Sequence, residues 1–318
     1  MRAWVYDRYG GPDGLRLEEL PDPVPKANQV LIRIEAVGLN GSDWEYLTGR
    51  PAYARLNGLR APRKRILGSD ITGRVEACGA AARAFAPDDA VLADILTLLG
   101  GLAEKVAVPE TLLVRRPEAL SPVVAASLPQ SGAIAVQGTE RIEAGQRVLI
   151  NGAGGSAGAH AVTLTARAGA EVTAVDKPGK LAGLRKLGAA HTIDCTAEDF
   201  TRNGQRYDHI LDLFGTRSSV AIARALAPRG RYRIVGGHLG AMLGCGLLGP
   251  LITLTDTRSI GIMALQQRQS VLHGLTDRLL RHEPGPPIDS TFPFEDTPAA
   301  FARLRGGESV GKIVVRMV

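Results

Sequence analysis

The stretch Asn151-Gly152-Ala153-Gly154-Gly155-Ser156-Ala157-Gly158 decides how this chain is read. It follows the apolar run Arg147-Val148-Leu149-Ile150, which reads as a strand, and opens an alanine-rich segment over 157–168, which reads as a helix. A strand led into a helix through clustered glycines is what a dinucleotide fingerprint requires. Glycine lets the turn tighten, and the unpaired amides of the first helical turn then face a pyrophosphate. The pattern reads as Gly152-x-Gly154-x-x-Ala157, or as Gly152, Gly155 and Gly158 at a spacing of three. Gly152, Gly154, Gly155, Ser156, Ala157 and Gly158 are therefore candidate cofactor contacts.

Asp176 ends the next strand-like run, Glu171-Val172-Thr173-Ala174-Val175, 18 residues beyond Gly158. An acid there accepts the ribose hydroxyls of the adenosine half, which suits NAD and repels the 2′-phosphate of NADP. Lys177 and Lys180 pull the other way, because cations at these places pair with that phosphate. The reading leans to NADH and leaves NADPH open. The same loop also fits G-x-S-x-G, the nucleophile elbow of an α/β-hydrolase, with Ser156 as nucleophile and Asp212 and His238 in permissible chain order. The extra glycines at 152 and 154, the placement of Asp176 and the long β-rich region before the loop all count against an esterase.

Outward from the loop, strand-like and helix-like segments alternate. His191-Thr192-Ile193-Asp194, Tyr207-Asp208-His209-Ile210-Leu211-Asp212 and Arg231-Tyr232-Arg233-Ile234-Val235 read as strands; 180–187 and 218–226 read as helices. Such alternation specifies an α/β fold with a doubly wound parallel sheet, a Rossmann domain over 121–283. Ser121-Pro122 marks its start as an N-cap and first-turn pair. The first 120 residues are β-rich, with Val30-Leu31-Ile32-Arg33-Ile34 and Thr72-Gly73-Arg74-Val75 as strands and Pro21, Pro23 and Pro25 in an extended connector. The closing Gly311-Lys312-Ile313-Val314-Val315 reads as a strand returning to that region, so the β-rich domain is discontinuous: 1–120 and 284–318.

Apolar residues make up 45% and charged residues 22% of the 318, an ordinary globular balance, and the net charge of +6 does not call for a nucleic-acid partner. A basic run over 55–65 reads as a solvated loop or as an anion-steering mouth. Cys78, Cys195 and Cys245 lie far apart, so they form neither a disulfide framework nor a cysteine-rich zinc site. The opening Met1-Arg2-Ala3-Trp4-Val5-Tyr6-Asp7 has no apolar core of a secretion signal, which sets a cytoplasmic expectation. Between Arg233 and Asp256 the chain has no charge apart from a protonatable His238, but six glycines make it a poor membrane span. It reads as a buried strand and an apolar loop beside a pocket or a subunit contact.

Along nearly its whole length the chain resembles the zinc-independent medium-chain dehydrogenase/reductases, in their quinone oxidoreductase branch. The resemblance rests on Val37-Gly38-Leu39-Asn40-Gly41-Ser42-Asp43-Trp44, Ile66-Leu67-Gly68-Ser69-Asp70-Ile71-Thr72-Gly73, Gly101-Leu102-Ala103-Glu104, Leu128-Pro129-Gln130-Ser131-Gly132, the glycine loop, Leu187-Gly188-Ala189 and Gly311-Lys312-Ile313-Val314. It implies a GroES-like catalytic domain around an inserted Rossmann domain, a homodimer, and hydride transfer from NAD(P)H to a quinone or an activated enone or enoyl double bond, thioesters included. Phe214, Gly236, Gly237, Cys195 and Lys312 join the candidate cofactor contacts.

The resemblance also says where zinc sits in relatives that use it: a Cys at the position of Asn40 and a His-Glu pair at Ser69-Asp70. Amide and hydroxyl oxygens are poor zinc ligands beside thiolate and imidazole, so no zinc is expected. Asn40 and Ser42 stand where the family faces nicotinamide and substrate, and Tyr53 stands near a proton-donating tyrosine of related enoyl reductases; these three are the candidate catalytic residues. The departures are Gly41 for a usual Pro, Ile134 for a Thr that contacts nicotinamide, Asp88 for a Gly, Lys105 for a Tyr, and Cys195 for a Tyr beside the adenosine phosphate of NADPH users. A non-catalytic dinucleotide-binding protein on the same scaffold is the alternative function.

Overall fold

In the computed structural model, which describes residues 1–266 and 269–317, the alternating segments after Arg147 form one six-stranded sheet. Its order is His191–Asp194, Glu171–Asp176, Arg147–Asn151, Tyr207–Asp212, Leu226–Ile234 and Ser259–Ile262, and every pairing is parallel. Parallel strands are covered on both faces and read as continuous apolar runs. Val148, Ile150, Val172 and Ala174 pack with Ala161, Val162 and Leu164 of the helix Ser156–Arg167. Leu149, Val175, Ile210 and Ile234 point the other way, to Ile222 and Tyr232. The period of two along each strand thus separates two cores.

The N-terminal region forms a sheet of its own, along the path Ile288–Pro293, Lys312–Arg316, Gln29–Leu39, Asp70–Cys78, Ala90–Asp94 and Val114–Arg115, with Lys105–Pro109 also pairing to Gln29–Leu39. The closing strand does return here, antiparallel to Gln29–Leu39 with Ile313 opposite Leu39. Gly38 faces Asp70 across the other edge of the same strand. That register gathers the end of one strand and the starts of two others, placing Asn40, Asp70 and Lys312 together.

Two compact units result: Met1–Ala133 with Gln266–Gly307 and Lys312–Val318, and Ile134–Leu265 with Glu308–Gly311. The divisions fall later and earlier than the expected 121 and 283. The helix Pro122–Ala126 stays with the first unit because Ala126 packs on Ala36 and Val314. The helix Gln269–Leu280 stays there too, with Leu275 against Gly132.

The apolar loop expected between Arg233 and Asp256 is instead a helix, Leu239–Thr255, of 17 residues. Its glycines and Pro250 suggest a loop, yet six of its residues are leucine, a strong helix former, and helix propensity prevails. Leu243, Leu247, Leu251 and Leu254 are exposed along it. Among the described residues no helix is long and apolar enough to cross a membrane. A short helix, Gly41–Thr48, also follows Asn40 within the β-rich region.

Candidate functional site

In the second unit the glycine loop is held by its neighbouring strand: the amides of Gly152 and Ala153 both donate to the Val175 carbonyl, at 3.0 and 3.2 Å. Gly152 has φ +78°, a conformation that only glycine adopts without strain. At Gly158 a Cβ would overlap the Gly152 carbonyl and lie 2.7 Å from Ala153 Cα, so glycine is what lets the helix seat on the turn. The helix Ser156–Arg167 opens with no side-chain cap, so its first-turn amides lack intrahelical partners. Ser156 Oγ is buried there without a hydrogen-bond partner among the described residues. An orphaned hydroxyl beside uncapped amides fits a bound phosphate oxygen, and the loop therefore fits a dinucleotide.

Asp176 closes the loop. Its Oδ2 accepts the Gly154 amide at 2.7 Å, and its Oδ1 accepts the Lys177 amide at 2.8 Å. Lys180 Nζ lies 3.3 Å from Oδ1, and both side chains are buried. Lys180 is thus neutralised by Asp176, whereas Lys177 is exposed. The Cys195 amide donates to the Asp176 carbonyl at 3.0 Å, and burial, then the charges of Asp176 and Asp194, push its thiol pKa up. Phe214 is 60% exposed and meets His238 edge to face at 6.1 Å between centroids. Gly236 accepts the Gly215 amide at 2.9 Å, and Gly237 has φ +143° with no room for a Cβ against Gly215.

The hydrolase alternative finds no triad. Asp212 accepts from Asn151 Nδ2 at 2.8 Å, Tyr232 Oη at 2.9 Å and the Phe214 amide at 3.2 Å. Burial raises its pKa. It is the hub of a structural network, and no hydrogen bond joins it to His238 or Ser156.

In the first unit, Asn40, Ser69, Asp70, Ser131 and Lys312 form one buried cluster. Lys312 Nζ donates to Asp70 Oδ2 at 2.6 Å, Asn40 Oδ1 at 2.7 Å and Ser131 Oγ at 3.0 Å. Asn40 Nδ2 donates to Ser69 Oγ at 3.0 Å. Beneath it, Asp43 accepts the amides of Asn40 at 2.8 Å and Gly68 at 3.0 Å. Ser42 Oγ donates to Gln130 Oε1 at 3.1 Å, and the Gln130 amide donates to both Asp70 oxygens, at 3.1 and 3.2 Å. Asn40 and Ser42 are thus linked through Lys312, Asp70 and Gln130. Lys312 has its ammonium in this cluster, with no exposed surface to offer a cofactor.

Tyr53 stands apart. Its hydroxyl donates to Glu45 Oε1 at 2.9 Å, and burial, with the Glu45 charge, raises its pKa. The structure gives it no hydrogen bond to Asn40 or Ser42. The basic run disperses: Arg55 stacks on Tyr9, and Arg65 pairs with Asp7 and Glu18. Arg63 and Lys64 border a cavity of about 300 Å³ with Tyr46, Leu56, Leu96 and Leu99.

The cluster does not suit zinc. Asn40 and Ser69 supply neutral oxygens and an amide nitrogen, and the one carboxylate, Asp70, is already paired with an ammonium. Sequence reasoning overlooked Asp43, Gln130, Ser131 and the partnership of Lys312 with Asp70. Of these only Asp43 had a local signal, its capping-box spacing three residues after Asn40.

Residues 26–118 match the family model of the alcohol dehydrogenase GroES-like domain, and residues 187–315 that of the zinc-binding dehydrogenases. The chain is 28% identical to the chloroplast envelope quinone oxidoreductase homolog of Arabidopsis thaliana, over 99% of this chain and 98% of that one. It is 30% identical to the chloroplastic NADPH-dependent alkenal/one oxidoreductase of the same plant, over 99% and 79%. Among solved structures, the quinone oxidoreductase from Coxiella burnetii aligns at a TM-score of 0.84 and 26% identity, over 99% of both chains.

Proposed function

This chain belongs to the medium-chain dehydrogenase/reductase family, in its quinone oxidoreductase-like branch, and on that premise we propose that it is an NAD(P)H-dependent reductase of quinones or of activated enone and enoyl double bonds. The observation that carries the reading is the donor set at Asn40, Ser69 and Asp70, with the Lys312 ammonium among them. Such a set does not suit a Lewis-acid metal, so it offers no metal to stabilise an alkoxide for alcohol oxidation. Reduction of a carbon that is already electrophilic needs less: a hydride donor, and hydrogen bonds for the charge that grows on the acceptor oxygen. The dinucleotide, when bound, supplies the hydride.

The amides after Gly155 and the Ser156 hydroxyl would hold the pyrophosphate, and Asp176 the adenosine ribose. Asn40 and Ser42 would hydrogen-bond the acceptor oxygen or the nicotinamide ribose. The enzyme works without zinc in this reading. NADH is the preferred donor, because Asp176 supplies an acceptor for ribose hydroxyls and neutralises Lys180. The name of the Arabidopsis alkenal/one relative says NADPH, so the two donors must be compared directly. A homodimer is supported by the exposed leucines of Leu239–Thr255, in a unit whose sheet ends in the open edge strand Ser259–Ile262.

Oxidation of NADH and NADPH against a panel of quinones, enones and enoyl thioesters tests the activity, with metal analysis of the purified protein and sedimentation alongside. Turnover with at least one acceptor is expected. Dinucleotide binding without turnover on any acceptor would replace this reading with that of a non-catalytic binding protein.

A further inference from the structure

Lys312 is fully buried, and its three ammonium hydrogens have three acceptors: Asp70 Oδ2, Asn40 Oδ1 and Ser131 Oγ. An ammonium only donates, so the Asn40 atom 2.7 Å away is the carboxamide oxygen, and Nδ2 is thereby turned to Ser69. One Nδ2 hydrogen meets Ser69 Oγ; the other has no protein partner among the described residues. A carboxamide whose oxygen accepts from a cation is polarised, and its N–H groups become stronger donors.

The route of the lysine is also shaped for this contact. A Cβ on Gly38 would overlap Lys312 Cε, so the glycine in the facing strand leaves the aliphatic stem its path. A buried ion pair is seldom more stabilising than an apolar pair of the same volume. Its presence here asks for a role in orientation.

We propose that Lys312 is a positioning residue: fixed by Asp70, its ammonium orients and polarises the Asn40 carboxamide so that the remaining Nδ2 hydrogen is offered to the oxygen of the acceptor. The proposal rests on the reading of Asn40 as an acceptor-facing group. It assigns Lys312 to the acceptor side of the reaction, not to the phosphates of the dinucleotide.

Lys312→Met alone strands the buried Asp70 charge, so the informative variant is the neutral pair Lys312→Met with Asp70→Asn, compared with Asn40→Ala and the triple variant. The neutral pair is expected to lower kcat about 10- to 100-fold, the range of one charge-assisted hydrogen bond, with little change in KM for the dinucleotide. In the Asn40→Ala background the same pair should cost no more than about twofold, since coupled residues are not additive. In asparagine-selective 15N spectra, the Asn40 side-chain amide signal should move in the neutral pair. Additive losses, a change confined to the dinucleotide KM, or an unmoved Asn40 amide signal would each overturn the assignment. If the wild-type protein reduces no acceptor, the reductase reading falls, and the amide spectra still decide whether Lys312 polarises Asn40.

Discussion

Lys312 Nζ and Asp70 Oδ2 lie 2.6 Å apart with neither side chain reaching solvent, although 242 residues of chain separate them. Removing one partner leaves the other charge buried and uncompensated. Lys312→Ala should therefore destabilise the fold by about 3–5 kcal/mol, whereas replacing the pair by Met and Leu should cost much less. Urea unfolding of the three proteins checks this. Equal losses for the single and double variants would show that packing, not charge, dominates at this place.

Asp43 gives the same region a pH dependence. Burial above all, with the nearby Asp70 charge, pushes its carboxyl up to about 7, against the amide bonds from Asn40 and Gly68 and the Lys312 ammonium. In the unfolded chain it titrates at about 4. Between those values the folded state keeps a proton that the unfolded state has released. The stability tied to Asp43 is thus complete below about pH 4 and is lost as pH rises through about 7. The advantage of wild type over Asp43→Asn in unfolding free energy should shrink over that interval. An advantage that stays constant or grows with pH would refute the shift.

Gly158 seats the helix on the glycine turn, and the atoms a Cβ would meet, the Gly152 carbonyl and Ala153 Cα, are backbone that cannot swing aside. Gly158→Ala is expected to destabilise by about 1–3 kcal/mol through overpacking. The displaced first turn should also weaken dinucleotide binding in calorimetry. Gly10→Ala, where a Cβ meets nothing within 4 Å, is the control. Undiminished binding by Gly158→Ala would mean that the amides of this turn do not hold the cofactor.

What the sequence made legible is whatever repeats locally. The glycine loop, the strand-helix alternation around it and the return of Lys312–Arg316 to the N-terminal sheet all follow from periods of two and 3.6 and from turn chemistry. The helix Leu239–Thr255 was hidden because it is apolar on every side, leaving no amphipathic period to detect. The Lys312–Asp70 pair has no local signature at all: a lysine in an alternating strand reads as an outward residue until the register sets Ile313 opposite Leu39 and Gly38 opposite Asp70. The Tyr53–Glu45 bond has no local signature either, since Glu45 sits on a helix the sequence did not declare.

Asp176 does two things at once, and separating them tests the cofactor preference. Its carboxylate accepts the Gly154 amide and neutralises Lys180. Asp176→Ser removes the charge that repels a 2′-phosphate and frees Lys180 to pair with one. The ratio of NADPH to NADH affinity should rise about tenfold or more, a typical worth for one charge-assisted contact. The orphaned Gly154 amide should cost about 1 kcal/mol of stability at the same time. Adding Lys180→Met should abolish the gain in NADPH affinity while leaving NADH affinity near that of Asp176→Ser. Fluorescence titration with both nucleotides reads all three proteins, and an unchanged ratio in Asp176→Ser would place the ribose away from this carboxylate.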